Sequence, residues 1–269
     1  MSEFLARPSN FLAPYVKHYW AVENCMPAGE VHLQRIVPNG LMELMFYLED
    51  LPRSLHQRKP LEEHTLLSGQ QKGFYDICVG GKLSLFSVSL HPFGARMLLG
   101  IPSDECFDQN LPLRTVLGSE VDVVEDRLRE ARSFKAKVGL VEQFFFRRLK
   151  KAKKEYELGR IAASIELINQ AKGQVDIQQL ASTACLSRKQ YERTFREFIG
   201  TTPRHFLRTI RFQNSLQQKK THHDYSLADL AFHCGYYDQS HMTNEFRLFS
   251  GKTPVQYFAE CEPHSDYFQ

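Results

Sequence analysis

Several features that mark enzymes and metal-binding proteins are missing from this chain of 269 residues. Its six cysteines are scattered and form no C-x-x-C pair, which argues against zinc-ribbon and redox motifs. No H-x-H pair, phosphate-binding glycine motif or G-x-S-x-G elbow is present, and no paired carboxylate motif stands out. The sequence therefore predicts no catalytic residue, no metal ligand and no cofactor.

Membrane and export signals are also missing from the sequence. No apolar run approaches the ~20 residues of a spanning helix, and residues 1–10 lack a charged-then-apolar signal segment. Dispersed cysteines in a chain of this size are typical of reduced, mostly buried thiols. With 42% hydrophobic and 24% charged residues, the composition predicts a soluble, cytoplasmic protein that makes no membrane contact.

The first hundred residues predict β-structure. Short apolar or alternating runs bounded by Pro, Gly and Asn lie at Val16–Val22, Val31–Val37, Leu41–Leu48 and Lys82–Leu90. Within the last run the alternation slips between Leu85 and Phe86, which predicts a β-bulge. Helical spacing begins after about Ser103. Residues 1–154 are therefore predicted to form an antiparallel sheet or small barrel with helices.

A run of six cations in eight residues, 147–154, follows the predicted N-terminal helices. A solvated helix end near a domain boundary is the favoured interpretation, and contact with DNA phosphates is the alternative.

One signature occurs twice in the C-terminal part. The pattern F-R-x-F-x-G-x-T-P spans Phe195–Pro203 and recurs fifty-one residues later at Phe246–Pro254. Its two phenylalanines predict buried anchors and its glycine predicts a helix end. Its Thr-Pro pair predicts the cap and first turn of the next helix.

The first copy closes a predicted helix-turn-helix. Asp176 and Ser187 are the expected helix caps, and a tight turn lies at 184–186. Tyr191, Phe195 and Phe198 share one apolar face at helical spacing. The opposite face is centred on three cations, which are suited to guanine edges or phosphates in a major groove: Lys189, Arg193 and Arg196.

The second copy repeats this plan with different outward residues. Ser226 and Asp238 are the expected caps, and the predicted core positions are Met242, Phe246 and Phe249. The outward face carries Ser240, Asn244 and Arg247, flanked by His241 and Thr243.

The charge around the two copies also differs. Residues 160–220 contain 11 basic and four acidic residues, a net charge of +7, which is typical of a segment that binds a polyanion. Residues 221–269 contain two basic and seven acidic residues, a net charge of −5. The sequence therefore predicts a first unit that binds DNA strongly and a second that discriminates between sequences or barely touches DNA.

Together these motifs resemble the AraC-type transcriptional regulators over about 110 residues. The resemblance rests on both signatures, the linking Arg211-Phe212-Gln213 and the turn Gly235-Tyr236-Tyr237-Asp238. It implies an α+β chain: a regulatory N-terminal domain at 1–154, and an all-α DNA-binding domain at 155–269 whose two helix-turn-helix units are joined by a long helix. More weakly, Ile36–Gly40, Ser68-Gly69 and Leu90–Ala95 resemble a subgroup with an unknown effector.

The resemblance implies that both recognition helices enter successive major grooves of double-stranded DNA. The expected DNA-contacting residues are Arg188, Lys189, Gln190, Arg193, Arg196, Gln239, Ser240, His241, Asn244 and Arg247. His241 and Asn244 are equally well explained as solvated surface groups. Further expected partners are a small-molecule effector, RNA polymerase and a second copy of the chain.

Two other interpretations remain open at this point. One is an effector-independent regulator whose N-terminal domain binds other proteins, and the other is a regulator fused to an enzymatic or metal-dependent module. Four aromatic residues could line an effector pocket, although core packing is the favoured interpretation: Trp20, Phe46, Phe86 and Phe93.

Overall fold

The computed structural model describes residues 2–27, 29–55, 59–60, 63–149 and 156–260. Its strands all lie in the first 112 residues, within the part of the chain that is described. They are β1 Ser2–Ala6, β2 Val16–Cys25, β3 Val31–Ile36, β4 Met42–Tyr47, β5 Arg53–Ser54, β6 Lys59–Pro60, β7 Thr65–Ser68, β8 Tyr75–Gly80, β9 Lys82–Leu90 and β10 Asn110–Pro112. The predicted antiparallel N-terminal region is confirmed.

These strands form two antiparallel sheets. The larger has six strands in the order β1-β2-β9-β4-β7-β10, and the smaller has four in the order β3-β8-β5-β6. Because side chains alternate across a strand, Leu44, Phe86 and Val88 point to one face of the larger sheet and join the main N-terminal core. Trp20 and Leu85 lie on the opposite face, in a second and smaller hydrophobic cluster.

The prediction of a β-bulge between Leu85 and Phe86 is wrong. Strand β9 pairs in unbroken register with β4 from Met42↔Leu90 to Tyr47↔Leu85. The irregularity lies instead in β2, between Val16 and His18. Leu85 is apolar because it packs in the smaller cluster, so the slip in hydrophobic alternation reflects a sheet with apolar contacts on both faces.

Helices begin after β9, with β10 following the first of them, and make up the C-terminal part. They are α1 Gly94–Leu99, α2 Arg114–Leu117, α3 Glu120–Glu130, α4 Phe134–Leu149, α5 Tyr156–Gln170, α6 Ile177–Thr183, α7 Arg188–Ile199, α8 Pro203–Thr221, α9 Leu227–His233, α10 Gln239–Ser250 and α11 Pro254–Glu260, with a 3-10 turn at Ser103–Cys106. None of the described helices is long and apolar enough to cross a membrane.

The predicted N-cap residues of the C-terminal helices are confirmed. The caps at Asp176, Ser187, Thr202, Ser226 and Asp238 each accept a hydrogen bond from a backbone N–H in the first turn. Because these donors have no partner inside their helix, each cap stabilises a helix start and fixes where it begins.

Each helix-turn-helix unit has its own core. The signature residues Phe195 and Phe198 are buried in the first, and Phe246 and Phe249 are buried in the second. The 19-residue helix α8 contributes Phe206 to the first core and Phe212 to the second. This helix therefore joins the two units, as predicted.

The expectation about the cysteines changes. The thiols are not mostly buried, because Cys25 and Cys185 are exposed and Cys78 is partly exposed, whereas Cys106 and Cys234 are buried. Cys261 lies outside the described residues.

In the basic run, the Arg148 guanidinium donates to the carbonyl oxygens of Leu98 and Leu99 at 3.0 and 2.7 Å. It therefore completes the C-terminal end of α1. Lys150–Lys154, together with the predicted boundary at 154/155, lie outside the described residues.

Gly200, the glycine of the first signature, supports a prediction about stability. It ends α7 with φ +86°, and a Cβ there would lie 2.3 Å from the carbonyl oxygen of Ser103. Gly200→Ala should lower the free energy of unfolding by more than about 1 kcal/mol, because it adds both backbone strain and a steric overlap. Urea unfolding would measure the change.

Gly139 provides the matched control for Gly200→Ala. It lies within α4, and a Cβ there would have no heavy atom within 4 Å. Gly139→Ala should stabilise the protein by about 0.5–1 kcal/mol. Equal effects of the two substitutions would contradict the role given to Gly200.

Candidate nucleic-acid interface

The outward face of α7 is cationic along its length. Tyr191, Phe195 and Phe198 are buried on one side of the helix. Lys189, Arg193 and Arg196 are exposed on the other. In the part of the chain that the structure describes, none of these three cations forms an ion pair, so all three remain available to an anionic partner.

Two further candidates on α7 already have partners in the protein. Gln190 completes a capping box with Ser187, whose backbone N–H and hydroxyl both donate to Gln190 Oε1. Arg188 Nε lies 3.1 Å from Glu192 Oε1 in an exposed pair one helical turn apart. Such pairs contribute about 0.3–0.5 kcal/mol, so Arg188 can exchange its partner at small cost.

A tight turn positions α7 after α6. Cys185 has φ +53°, and the N–H of Leu186 donates to the carbonyl oxygen of Ala181 at 2.9 Å. In the second unit Gly235 has φ +70°, and the N–H of Tyr236 donates to Ala231. Both turns therefore use one left-handed residue to direct the second helix.

The corresponding face of α10 is mostly neutral. Gln239, Ser240, Asn244 and Arg247 are all exposed. Arg247 is the only cation among the predicted contact residues of α10, against three on the outward face of α7. The difference that the sequence predicted between the two outward faces is therefore present in the fold.

His241 is partly exposed, with 40% of its side chain accessible, and it also makes contacts within the turn. Its Nδ1 accepts the backbone N–H of Tyr237 at 3.3 Å, and its Nε2 lies 3.5 Å from Glu245 Oε1. The ring packs edge-on against Tyr236. These contacts hold the imidazole in the turn, which favours a positioning role over direct base contact.

Several acids of the second unit also have structural partners. Asp229 belongs to the capping box of α9, and Asp238 caps α10. Glu245 is 1% exposed, and its Oε1 lies 2.7 Å from Nε of Arg208 on α8. The ion pair with Arg208 therefore offsets the charge of Glu245, and the capping hydrogen bonds explain the positions of Asp229 and Asp238.

The N-terminal part contacts the C-terminal end of each recognition helix. At α7, the Ser103 hydroxyl donates to the carbonyl oxygen of Phe198 at 2.7 Å, and Arg96 pairs with Glu197 at 3.1 Å. At α10, Arg35 Nη1 donates to the carbonyl oxygen of Ser250 at 2.9 Å. The sequence did not predict these contacts, because they join residues about a hundred or more positions apart.

Segment 36–41, the last residue of β3 and the connection to β4, contacts α8. Gln213 donates to the carbonyl oxygen of Pro38 at 2.7 Å. A Cβ on Gly40 would lie 2.9 Å from a side-chain carbon of Ile210, so glycine allows close packing here. The N-terminal part therefore touches both recognition helices and the helix that joins them.

A cavity opens between the two sheets, beside segment 36–41. Of the four aromatic residues considered for an effector pocket, Trp20 lines it. Phe46 and Phe86 belong to the main N-terminal core, and Phe93 packs in the core of the first helix-turn-helix unit. The sequence analysis did not identify Glu43, which also lines the cavity. An acidic residue within the apolar strand M-E-L-M-F-Y could have indicated it.

Comparison with known families finds two separate matches. Residues 5–112 match a domain of unknown function (DUF6597), and residues 180–260 match a helix-turn-helix domain. An uncharacterized HTH-type transcriptional regulator of Haemophilus influenzae is 32% identical over 95 residues. That alignment covers 35% of this chain and 32% of the relative's own length.

Two solved structures are also similar. Vibrio cholerae ToxT is 12% identical, with a TM-score of 0.46 over 90% of this chain and 97% of its own. The DNA-binding domain of AdpA, a global transcriptional factor solved in complex with a target DNA, is 29% identical. Its match has a TM-score of 0.35 and covers 37% of this chain and 90% of its own.

Proposed function

We propose that the chain is a sequence-specific, DNA-binding transcription regulator of the AraC type, because residues 180–260 match a helix-turn-helix domain. The observation that supports this most directly is the outward face of α7. Lys189, Arg193 and Arg196 stand exposed on a helix whose other face is held by a buried core. That arrangement suits a helix that enters a major groove.

The three cations have different proposed roles. Arg193 lies midway along the outward face, and its guanidinium can pair with a guanine edge through two parallel hydrogen bonds. Lys189 and Arg196 flank it by four and three positions and bind phosphates on either side of the groove. Arg188 adds phosphate contact after leaving Glu192. Gln190 positions the start of the helix through its capping box.

On the second unit, Asn244 and Arg247 are the proposed base and phosphate contacts. An asparagine side chain pairs with adenine, and Arg247 supplies charge. Gln239 and Ser240 are exposed in the first turn, where their side chains can donate hydrogen bonds to a phosphate. His241 holds the turn through Tyr237 and Glu245. This unit therefore contributes more to specificity than to affinity.

Salt dependence of binding tests the charge-based part of this proposal. DNA affinity of the whole chain would be followed by fluorescence anisotropy from 50 to 200 mM salt, on a site selected from a random DNA pool. Each phosphate contact contributes about −0.9 to the slope of log affinity against log salt concentration. Lys189→Ala should make the slope shallower by about 1. An unchanged slope would contradict the phosphate role of Lys189.

We further propose that the N-terminal part sets the relative placement of the two recognition helices, and that a small molecule in the cavity changes that placement. Two observations support this. Arg35 and Ser103 bind backbone carbonyls at the ends of α10 and α7. Segment 36–41 lines the cavity on one side and contacts α8 on the other. RNA polymerase and a second copy of the chain remain predicted partners.

Arg35→Leu tests the contact between the N-terminal part and α10. Arg35 donates to the carbonyl oxygen of Ser250 and forms a two-point pair with Asp76 at 2.7 and 2.8 Å. Losing both should increase amide hydrogen exchange at the end of α10 about 5- to 30-fold, as a local opening equilibrium shifts by roughly 1–2 kcal/mol. Lys82→Leu, which breaks an exposed pair with Glu49, is the control. Equal protection of α10 in both variants would contradict the proposal.

A further inference from the structure

The cavity between the sheets has the position of a ligand site. About 810 Å³ of empty space lies between its walls when the open mouth is counted. Its walls come from the inner face of the larger sheet, from β3 and β8 of the smaller sheet, and from segment 36–41.

Glu43 supplies the acidic group of this wall. It lies on β4 between Met42 and Leu44, which point into the main core, so its side chain points into the cavity. The residue is 7% exposed. Burying a carboxylate destabilises the fold unless hydrogen-bond or charge partners offset the loss of water. The buried position of Glu43 therefore requires such partners in the fold.

Three neighbours orient the Glu43 carboxyl group. The hydroxyl of Ser89 donates to Oε1 at 2.7 Å, and that of Ser87 donates to Oε2 at 2.7 Å. The indole N–H of Trp20 donates to Oε2 at 3.3 Å. Burial raises the pKa of Glu43, while hydrogen bonds from Ser89, Ser87 and Trp20 and the charge of Lys17 oppose that rise. These donors hold the oxygens in place.

The rest of the described lining favours a cationic partner. Trp20, Tyr47 and Tyr75 contribute aromatic rings, and no Lys, Arg or His lines the cavity within the described chain. The carbonyl oxygen of the Asn110 side chain is buried and has no hydrogen-bond partner among the described residues. Aromatic faces attract ammonium groups, and a buried carboxylate strengthens that attraction. A carboxylate ligand would instead lie next to Glu43, and Lys17, whose charge acts on Glu43, is not among the lining residues.

We propose that this cavity binds a small organic cation, an ammonium group on an apolar body, with the ammonium next to Glu43 and the body against the aromatic rings. This deepens the effector site named above and rests on that proposed function. Glu43 and the aromatic lining determine which ligand binds. Segment 36–41 would transmit binding to the DNA-binding part, because it lines the cavity and contacts α8.

Three probes of similar size and different charge test the proposal on the unaltered protein. They are 2-phenylethylammonium, 2-phenylethanol and 3-phenylpropionate, each measured by titration calorimetry and by the shift in thermal unfolding. A ligand that binds the native state raises its stability. The ammonium should bind at least ~10-fold more tightly than the alcohol, and the carboxylate should not bind. Equal or tighter binding of the alcohol or the carboxylate, or no binding of the ammonium, would overturn the proposal.

Variants locate the charge that is responsible. Glu43→Gln keeps the side-chain shape and should weaken ammonium binding by at least ~10-fold. Glu49→Gln removes the same charge from an exposed position outside the cavity and should leave binding unchanged. Tyr75→Phe keeps the ring and should weaken binding by less than ~3-fold. If Glu43→Gln does not fold, the three-probe comparison on the unaltered protein still decides the question.

DNA affinity measured with and without the ammonium separates this inference from the proposed function. If the ammonium binds but DNA affinity is unchanged, the ligand class stands and effector control is wrong. If the protein binds DNA specifically and no ammonium binds, the regulator stands and the ligand class is wrong.

Discussion

Replacing Arg193 with alanine should lower affinity for a selected DNA site by about 1–3 kcal/mol, roughly 5- to 150-fold. The guanidinium is exposed at the middle of the outward face of α7, and it has no ion-pair partner among the described residues. Water that enters after the substitution cannot donate the two parallel hydrogen bonds that a guanidinium donates to one guanine. The loss should therefore be much larger on the selected site than on random DNA, as measured by competition anisotropy.

Arg132→Ala is the matched control for this experiment. Arg132 is also exposed, but it lies between α3 and α4 in the N-terminal part. Its removal changes the net charge by the same amount and should change affinity for either DNA by less than ~2-fold. If Arg193→Ala weakens selected and random DNA equally, Arg193 binds phosphate and does not read a base.

Replacing Arg208 with alanine should lower the free energy of unfolding by about 2–3 kcal/mol. Glu245 is 1% exposed, and its Oε2 has no hydrogen-bond partner among the described residues. Loss of the 2.7 Å contact to Arg208 Nε would leave a buried carboxylate on α10 whose other ion-pair partner among the described residues is His241. The effect falls below the ~3–5 kcal/mol of a fully buried pair because water reaches Arg208, whose side chain is 34% exposed.

A double variant separates the ion pair from the packing around it. Arg208→Met with Glu245→Leu fills the site with apolar groups, and it should recover at least half of the stability that Arg208→Ala loses. Urea unfolding with an unchanged m-value would confirm that the change lies in the folded state. The single variants Arg208→Met and Glu245→Leu complete the comparison. If the double variant loses the sum of their two stability losses, the pair is not coupled, and other contacts hold α10 on α8.

The C-terminal helices could be predicted from the sequence because their determinants are local. A cap such as Ser187 bonds three residues away, and anchors such as Phe195 and Phe198 follow the 3.6-residue period. The duplicated signature then placed the second unit by comparison with the first. The same local rules predicted the outward Lys189, Arg193 and Arg196, all of which the fold exposes.

The N-terminal contacts could not be predicted, because they depend on packing between distant segments. Nothing near Ser103 in the sequence indicates that its hydroxyl binds Phe198, 95 positions later. The prediction of a β-bulge at Leu85 assumes that one face of the sheet is buried, whereas the sheet has apolar contacts on both faces. The Glu43 cavity likewise needs two sheets in place, although an acid inside an apolar strand was a usable signal.

The structure also refines the comparison between the two units. Counting charges predicted a basic unit beside an acidic one, and in the fold Glu245 of the second unit is paired with Arg208 of α8. The two outward faces differ in charge, because α7 exposes three cations and α10 exposes Asn244 and Arg247. We therefore expect the first unit to supply most of the affinity for DNA.

A hydroxyl-radical footprint on a site selected from random DNA tests most directly whether both outward faces bind one DNA. The unaltered protein should protect two patches about 10 base pairs apart, one helical turn. Asn244→Ala with Arg247→Ala should remove one patch and leave the other. A single patch with the unaltered protein, or two patches that this double variant leaves intact, would contradict the account.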